Sequence, residues 1–131
     1  MHAHSSYDYA VIRVVPRVER QEFVNVGVIV WCKDADFLEA RTELEEERVR
    51  TLDAAVDIEA VRKHLASIGI ICAGGAEAGA IGKLSKRERF DWLVAPRSTI
   101  IQTSSVHTGR CTDLSATLDR LLDVMVRPAR L

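Results

Sequence analysis

The sequence predicts an α+β fold: a single domain in which an antiparallel sheet of about four strands carries helices packed on it. Strand-like segments come first, helical patterns follow, and one more strand and a final helix close the order. With 131 residues and 47% hydrophobic content, the chain suits one core, since two cores at this length would each be marginal. No internal repeat or linker divides it. We therefore expect residues 1–131 to form one domain, with residues 1–6 as a disordered N-terminus.

The first three predicted strands form an antiparallel meander. Residues 7–15 (YDYAVIRVV) are rich in tyrosine, valine and isoleucine, and Pro16 ends this strand because it has no N–H donor. Residues 23–31 (FVNVGVIVW) follow a polar loop of hairpin length. Residues 37–44 alternate apolar and charged side chains, which is the pattern of a strand with one solvated face.

The second predicted strand holds an asparagine and a glycine inside an almost continuous β-branched run (EFVNVGVIVW, residues 22–31). A period of two places its four valines on one face and both Asn25 and Gly27 on the other. Glycine weakens a strand interior, so we expect Gly27 to leave space for a large side chain or a helix over that face. The Asn25 amide should bind a loop or polar neighbour, because burying it without partners costs about 1–3 kcal/mol.

Four segments carry helix signals. An acidic start favours a short helix in residues 45–52 (EEERVRTL). Apolar side chains at steps of three and four predict helices near 57–72 and 113–126, whose stripes suit core packing. Ser85 and Glu88 form a capping box, which predicts that a further helix begins at Ser85, between the other two in the sequence.

The glycine-rich stretch GGAEAGAIGK, residues 74–83, is interpreted as a flexible loop. A phosphate-binding loop would need a glycine where Glu77 stands and a hydroxyl where Leu84 stands. The fourth strand is predicted at residues 99–106, and it is unusually polar for an interior strand. Gly109, shortly after it, is interpreted as part of a turn.

Composition disfavours several classes of function. The three cysteines are far apart and form no Cys-x-x-Cys pair, so neither a disulfide framework nor a zinc site is predicted, and a cytoplasmic location is expected. No apolar run approaches the roughly 20 residues of a membrane span. Aromatic residues make up only 5% of the chain, which disfavours base stacking. His2 and His4 receive no role, and we expect no metal and no cofactor.

Two groups of polar residues are candidates for binding. The first comprises polar residues in or beside predicted strands, where apolar residues would pack better; they are Arg13, Asn25, Arg97, Gln102 and His107. Together they could line a small pocket for an anion or a peptide carboxylate. The second is a possible anion patch around the start of the third helix, formed by Lys83, Lys86, Arg87 and Arg89.

Three stretches, YAVIRVVP, FVNVGVIVW and RFDWLVAPRSTIIQTSSVHTG, together resemble a bacterial family of unknown function, domain of unknown function 3037. The resemblance covers nearly the whole chain. It implies no established activity, because the family has none. It also implies a partner, since some members of the family are encoded beside HipA-like serine/threonine kinases.

Three functions remain open. The leading one is a non-enzymatic accessory or interaction protein, with a HipA-like kinase as the partner that the resemblance implies. A small hydrolase centred on His107 is the alternative, with Ser98, Ser104, Ser105 or Cys111 as nucleophile. A nucleic-acid binder acting through the basic residues 83–89 comes third, because the net charge of −1 gives it little support.

Overall fold

Five strands form one open antiparallel sheet in the computed structural model, which describes residues 4–129. They are β1 Ser5–Val14, β2 Val24–Cys32, β3 Phe37–Thr42, β4 Ile101–Thr103 and β5 His107–Cys111. The order across the sheet is β3, β2, β1, and both β4 and β5 pair with the other edge of β1. The predicted α+β class and antiparallel sheet are confirmed, with five strands where about four were expected.

The predicted helices are also confirmed. Their bounds are α1 Glu46–Leu52, α2 Ile58–Ala73, α3 Lys86–Val94 and α4 Leu114–Met125. Local caps fix where three of them begin: Asp57 accepts a hydrogen bond from the Ala60 N–H at the start of α2, and Asp113 accepts one from Ala116 at the start of α4. At the start of α3, Ser85 and Glu88 make both bonds of the capping box.

The glycine-rich segment between α2 and α3 is more ordered than a flexible loop. It contains two short 3-10 turns, Ala76–Ala78 and Ile81–Lys83. Gly74 ends α2 at a φ of 74°, a conformation that side-chain-bearing residues rarely adopt, and its N–H bonds the carbonyl oxygens of the last turn.

The first strand begins earlier than predicted. Ser5 pairs with Cys111 and Ser6 with Arg110, so part of the expected disordered N-terminus belongs to the sheet. Residues 1–3 of that prediction lie outside the described residues.

The predicted strand at 99–106 is wrong in its bounds. Its ladder with β1 is interrupted after Thr103, where the Val11 N–H bonds the Ser104 hydroxyl at 2.9 Å and the Ser104 N–H bonds the Val11 carbonyl at 2.8 Å. Pairing resumes at His107 and continues to Cys111, so Gly109 lies in β5 and not in a turn. A side chain on Gly109 would collide with the Tyr7 ring, since its Cβ would lie 2.4 Å from the Tyr7 hydroxyl.

A β-bulge at Val26 changes the faces predicted for β2. Ile12 pairs with Gly27 and Arg13 pairs with Asn25, so Val26 has no partner on β1. Val24 and Val26 therefore pack in the core beside α2, whereas the valines after the bulge pack beside α4. Asn25 and Gly27 lie on opposite faces, and the prediction that they share one is wrong, because a period of two does not survive an inserted residue.

Helices cover the two faces of the sheet unequally. Residues of α2 and α3, including Val61, Leu65 and Phe90, pack with Ile29 on one face. On the other face α4 packs on β2 and β3, with Leu118 and Leu121 against alternate residues of β2. Tyr7 and Val11 of β1 are also buried on this second face, but a part of it further from α4 is less covered, since Phe23 and His107 are exposed there and Arg13 and Gln102 are half-buried.

Candidate functional site

Three of the predicted site residues form a row across neighbouring strands. Arg13 lies in β1, with Asn25 of β2 directly opposite on one side and Gln102 of β4 directly opposite on the other. Residues that pair directly share a face, so all three side chains lie on the α4 side of the sheet. His107 shares this face further along, because it pairs with Tyr9.

We call the less covered part of this face the open face and define it by Tyr9, Arg13, Phe23, Gln102 and His107. Tyr9, Arg13 and Gln102 are half-buried, whereas Phe23 and His107 are exposed. The rings of Tyr9 and His107 are tilted neighbours with centroids 5.5 Å apart. The open face thus combines aromatic rings with one cationic side chain.

Arg13 has no polar partner among residues 4–129. Its guanidinium carbon lies 4.1 Å from the centroid of the Phe23 ring, and its Nε is buried without a hydrogen bond. The arginines of the adjoining loop differ, since Arg17 lies 3.8 Å from a carboxylate oxygen of Asp53 and Arg20 hydrogen-bonds Glu22. Arg13 is therefore a cation placed against an aromatic ring without a described counter-ion.

A cavity of about 330 Å³ adjoins Arg13. Its lining residues come from the end of β1, from the loop between β1 and β2, from the segment leading to β4 and from β4 itself; they are Arg13, Val15, Val18, Gln21, Phe23, Ser98 and Gln102. The loop forms a 3-10 turn that ends at Gln21 in the left-handed conformation, with a φ of 58°. The polar loop RVERQE thus supplies one wall of the cavity.

Asn25 ties the sheet to the end of α4. Its Nδ2 donates to the Met125 carbonyl at 3.0 Å, while its Oδ1 is buried with no partner among the described residues. Arg48 donates to the next carbonyl, that of Val126, at 2.9 Å. These bonds satisfy carbonyl groups that the helix itself leaves free, so Asn25 holds α4 in place beside the open face.

The geometry around His107 does not assemble a hydrolase site within residues 4–129. Its ring lies against Tyr9, and no described serine, cysteine or carboxylate hydrogen-bonds it. The hydroxyl of Ser104 is occupied, because it accepts from Val11 and donates to the Ser105 carbonyl at 2.8 Å. Cys72 adds no nucleophile to the predicted ones, because burial raises the pKa of its thiol to about 12.

The comparison with known families adds one finding. A family model described as a protein of unknown function (DUF3037) matches residues 9–126. The chain belongs to the DUF3037 family. The resemblance inferred from the sequence is thereby confirmed. No curated protein and no solved structure matches this DUF3037 chain significantly.

Arg97 does not join the row of polar residues. It closes the end of α3, where its guanidinium donates to the carbonyls of Leu93 at 3.0 Å and Trp92 at 2.5 Å and stacks over the Trp92 ring at 4.4 Å. It also lines a second cavity, of about 290 Å³, between α2, α3 and β4. The geometry gives Arg97 a capping role in this DUF3037 chain, while its role in binding stays a prediction.

Substituting Arg97 and His107 separately should distinguish these roles. We expect Arg97→Ala to lower the free energy of unfolding by about 1 kcal/mol, because helix carbonyls lose their donors. We expect His107→Ala to change it by less than about 0.5 kcal/mol, because the side chain is exposed. Thermal melting of both variants measures this difference. An equal loss in both would assign His107 a structural role.

Arg89 does not belong to a surface patch at the start of α3, which corrects the prediction for this residue, while anion binding by the other three basic residues stays a prediction. Arg89 is buried and donates to the carbonyls of Ile71 and Cys72 at the end of α2. Lys86 pairs with Asp36 at 3.0 Å, and Arg87 pairs with Asp91 at 3.2 Å. Neighbouring groups thus already occupy three of the four predicted anion ligands.

Sequence reasoning missed Phe23 of the open face and further residues that line the cavity beside Arg13 in this DUF3037 chain. Phe23 and Gln21 come from a loop whose path depends on a left-handed residue, and Ser98 comes from a distant segment. The one available signal was Phe23 itself, an apolar residue at the end of a polar loop.

Within residues 4–129, no three side chains of histidine, cysteine, aspartate or glutamate are grouped as a metal site requires. None of the described helices combines the length and the apolar character that crossing a membrane requires.

Proposed function

We propose that this DUF3037 protein is a non-enzymatic accessory protein that binds a protein partner through its open face. The observation that carries the proposal is the unequal cover of the sheet: α4 packs on β2 and β3, while aromatic rings beside it stay accessible. Phe23 is 45% exposed although it is large and apolar. Accessible aromatic residues beside an arginine are the composition that protein interfaces favour.

The proposed partner is a HipA-like kinase. This rests on the family resemblance, since some family members are encoded beside such kinases. Charge supports a protein partner over a nucleic acid: the chain carries a net charge of −1, and the basic residues of α3 are engaged by other groups. We also propose a cytoplasmic location, which is supported by the three free cysteines Cys32, Cys72 and Cys111.

Two matched variants test the proposal. Phe23→Glu places a charge on the open face, and Ile70→Glu places the same charge on α2, on the other side of the sheet, at a residue of similar exposure, 38%. Co-purification from the native host, followed by titration calorimetry with the purified HipA-like kinase, measures binding. We expect Phe23→Glu to weaken binding by about tenfold or more, because a buried carboxylate would replace an apolar contact.

The control should bind as the unchanged protein does. Equal binding by both variants would exclude the open face as the interface. Failure of the kinase to bind the unchanged protein would exclude it as the partner.

A further inference from the structure

The guanidinium of Arg13 is unpaired in the part of the chain that the structure describes. An arginine side chain has five N–H donors, and in residues 4–129 none of those of Arg13 makes a hydrogen bond or an ion pair. Its Nε is buried, and a buried donor without a partner is uncommon in folded proteins. The Oδ1 of Asn25, directly opposite on β2, is also unpartnered among these residues, but it is an acceptor and cannot bind an anion. The free donors of Arg13 therefore carry the inference, and they point to a missing polar partner that accepts hydrogen bonds.

The position of the guanidinium fixes the chemistry of that partner. Its carbon lies 4.1 Å from the Phe23 centroid, so the ring takes up one side of the cation. The donors that remain free are arranged as a planar fork, which matches the two oxygens of a carboxylate. Among the acidic residues of the adjoining segments, Asp53 and Glu22 are already paired with Arg17 and Arg20.

The rest of the cavity fits a short apolar group attached to the carboxylate. Val15, Val18 and Phe23 supply apolar walls, and Gln21, Ser98 and Gln102 supply polar groups that can bond peptide amides. A volume of about 330 Å³ falls at the lower end of ligand pockets, which suits one or two residues and not a large ligand.

From this geometry we infer that the Arg13 cavity is a binding site for the C-terminal carboxylate of a peptide chain whose last residue is apolar. Arg13 holds the carboxylate, while Val15, Val18 and Phe23 surround the terminal side chain. Gln21 and the Oε1 of Gln102, whose Nε2 donates to the Thr99 carbonyl at 2.9 Å, would bond the last peptide amide. The inference rests on the proposed function, because it names the group of the partner that enters the open face.

Nuclear magnetic resonance of the full ¹⁵N-labelled chain tests the inference through the Arg13 Nε–H signal. Three peptides serve as probes: acetyl-Gly-Ser-Gly-Ala-Leu with a free C-terminal carboxylate, the same peptide with a C-terminal amide, and an amidated peptide with an internal glutamate. We expect the free carboxylate to shift the Arg13 signal in a saturable manner, with a dissociation constant on the order of millimolar or below. The amidated peptide should bind at least about tenfold more weakly.

Variants keep the test specific. Arg13→Gln removes the cation, and Arg13→Lys keeps the charge but loses the planar fork. Both variants should therefore bind the free-carboxylate peptide about tenfold or more weakly, as measured by titrations followed in backbone amide spectra. Arg110→Gln, an exposed arginine of β5, should bind as the unchanged protein does. Backbone spectra also show whether each variant is folded. If Arg13→Gln does not fold, Arg13→Lys alone is compared with the unchanged protein.

Defined results overturn the inference. Equal binding of the free and amidated peptides, preference for the internal glutamate, or unchanged binding by Arg13→Lys would each do so. If the proposed function is wrong and the carboxylate site is right, the result differs: the peptide binds at Arg13, but the protein retains no HipA-like kinase. A kinase that is retained equally by the unchanged protein and by Arg13→Gln would overturn the carboxylate site and leave the interaction role intact.

Discussion

Replacing Gly27 by valine should lower the free energy of unfolding by about 2–3 kcal/mol, although valine is the better strand former. A Cβ on Gly27 would lie 2.6 Å from the Arg41 carbonyl oxygen of β3 and 3.1 Å from a methyl group of Ile12. The carbonyl belongs to the backbone of a paired strand, so it cannot move aside without breaking the ladder. The close neighbour is thus another backbone, where a large side chain or a helix had been expected.

Urea unfolding followed by circular dichroism measures this change. Gly69→Ala serves as the control, because nothing lies within 4 Å of a Cβ at that helical position. Alanine there should raise stability by about 0.5–1 kcal/mol through its higher helix propensity. A Gly27→Val variant as stable as the unchanged protein would show that β3 tolerates the added side chain.

Replacing Arg89 by methionine should cost about 2–4 kcal/mol of stability, since several buried acceptors lose their donors together. Arg89 is only 7% exposed, and its guanidinium donates to the Ile71 and Cys72 carbonyls at 2.8 and 2.7 Å and to the Leu84 carbonyl at 3.1 Å. The positive charge also lies at the C-terminal end of α2, where the helix dipole favours a cation. Methionine keeps most of the volume but none of these bonds.

Arg87→Met is the matched control for this prediction. Arg87 lies two residues earlier in α3, its side chain is 63% exposed, and it forms a surface ion pair with Asp91. Its loss should change the free energy of unfolding by less than about 0.5–1 kcal/mol. Similar urea midpoints for the two variants would contradict the structural role assigned to Arg89.

The candidate site was predictable only in part. Arg13, Asn25 and Gln102 were named because they are polar residues in strand-like segments, and the pairing of β1 with β2 and β4 places them in one row. Arg97 met the same criterion, yet it caps α3, because a polar residue near a strand can equally serve a helix end. Sequence spacing gave no means of separating these two uses.

The sequence by itself determined the features whose causes are local. The starts of α2 and α3 depend on bonds between residues three positions apart, such as Asp57 with Ala60 and Ser85 with Glu88. β1, β2 and β3 follow from β-branched or alternating runs that favour strands wherever they pack. Such signals need no knowledge of the rest of the chain.

Tertiary structure alone decided the features that depend on distant residues. The bulge at Val26 exists because β1 and β2 pair in a particular register, and it sends Asn25 and Gly27 to opposite faces. Ser104 ends β4 by binding Val11, 93 positions away, and Arg89 is buried because the end of α2 presents it with carbonyl groups. The surroundings of Arg13, which has no polar partner within residues 4–129, have the same kind of cause: β1 and the loop before β2 place its guanidinium against Phe23 in a cavity, which no local pattern encodes.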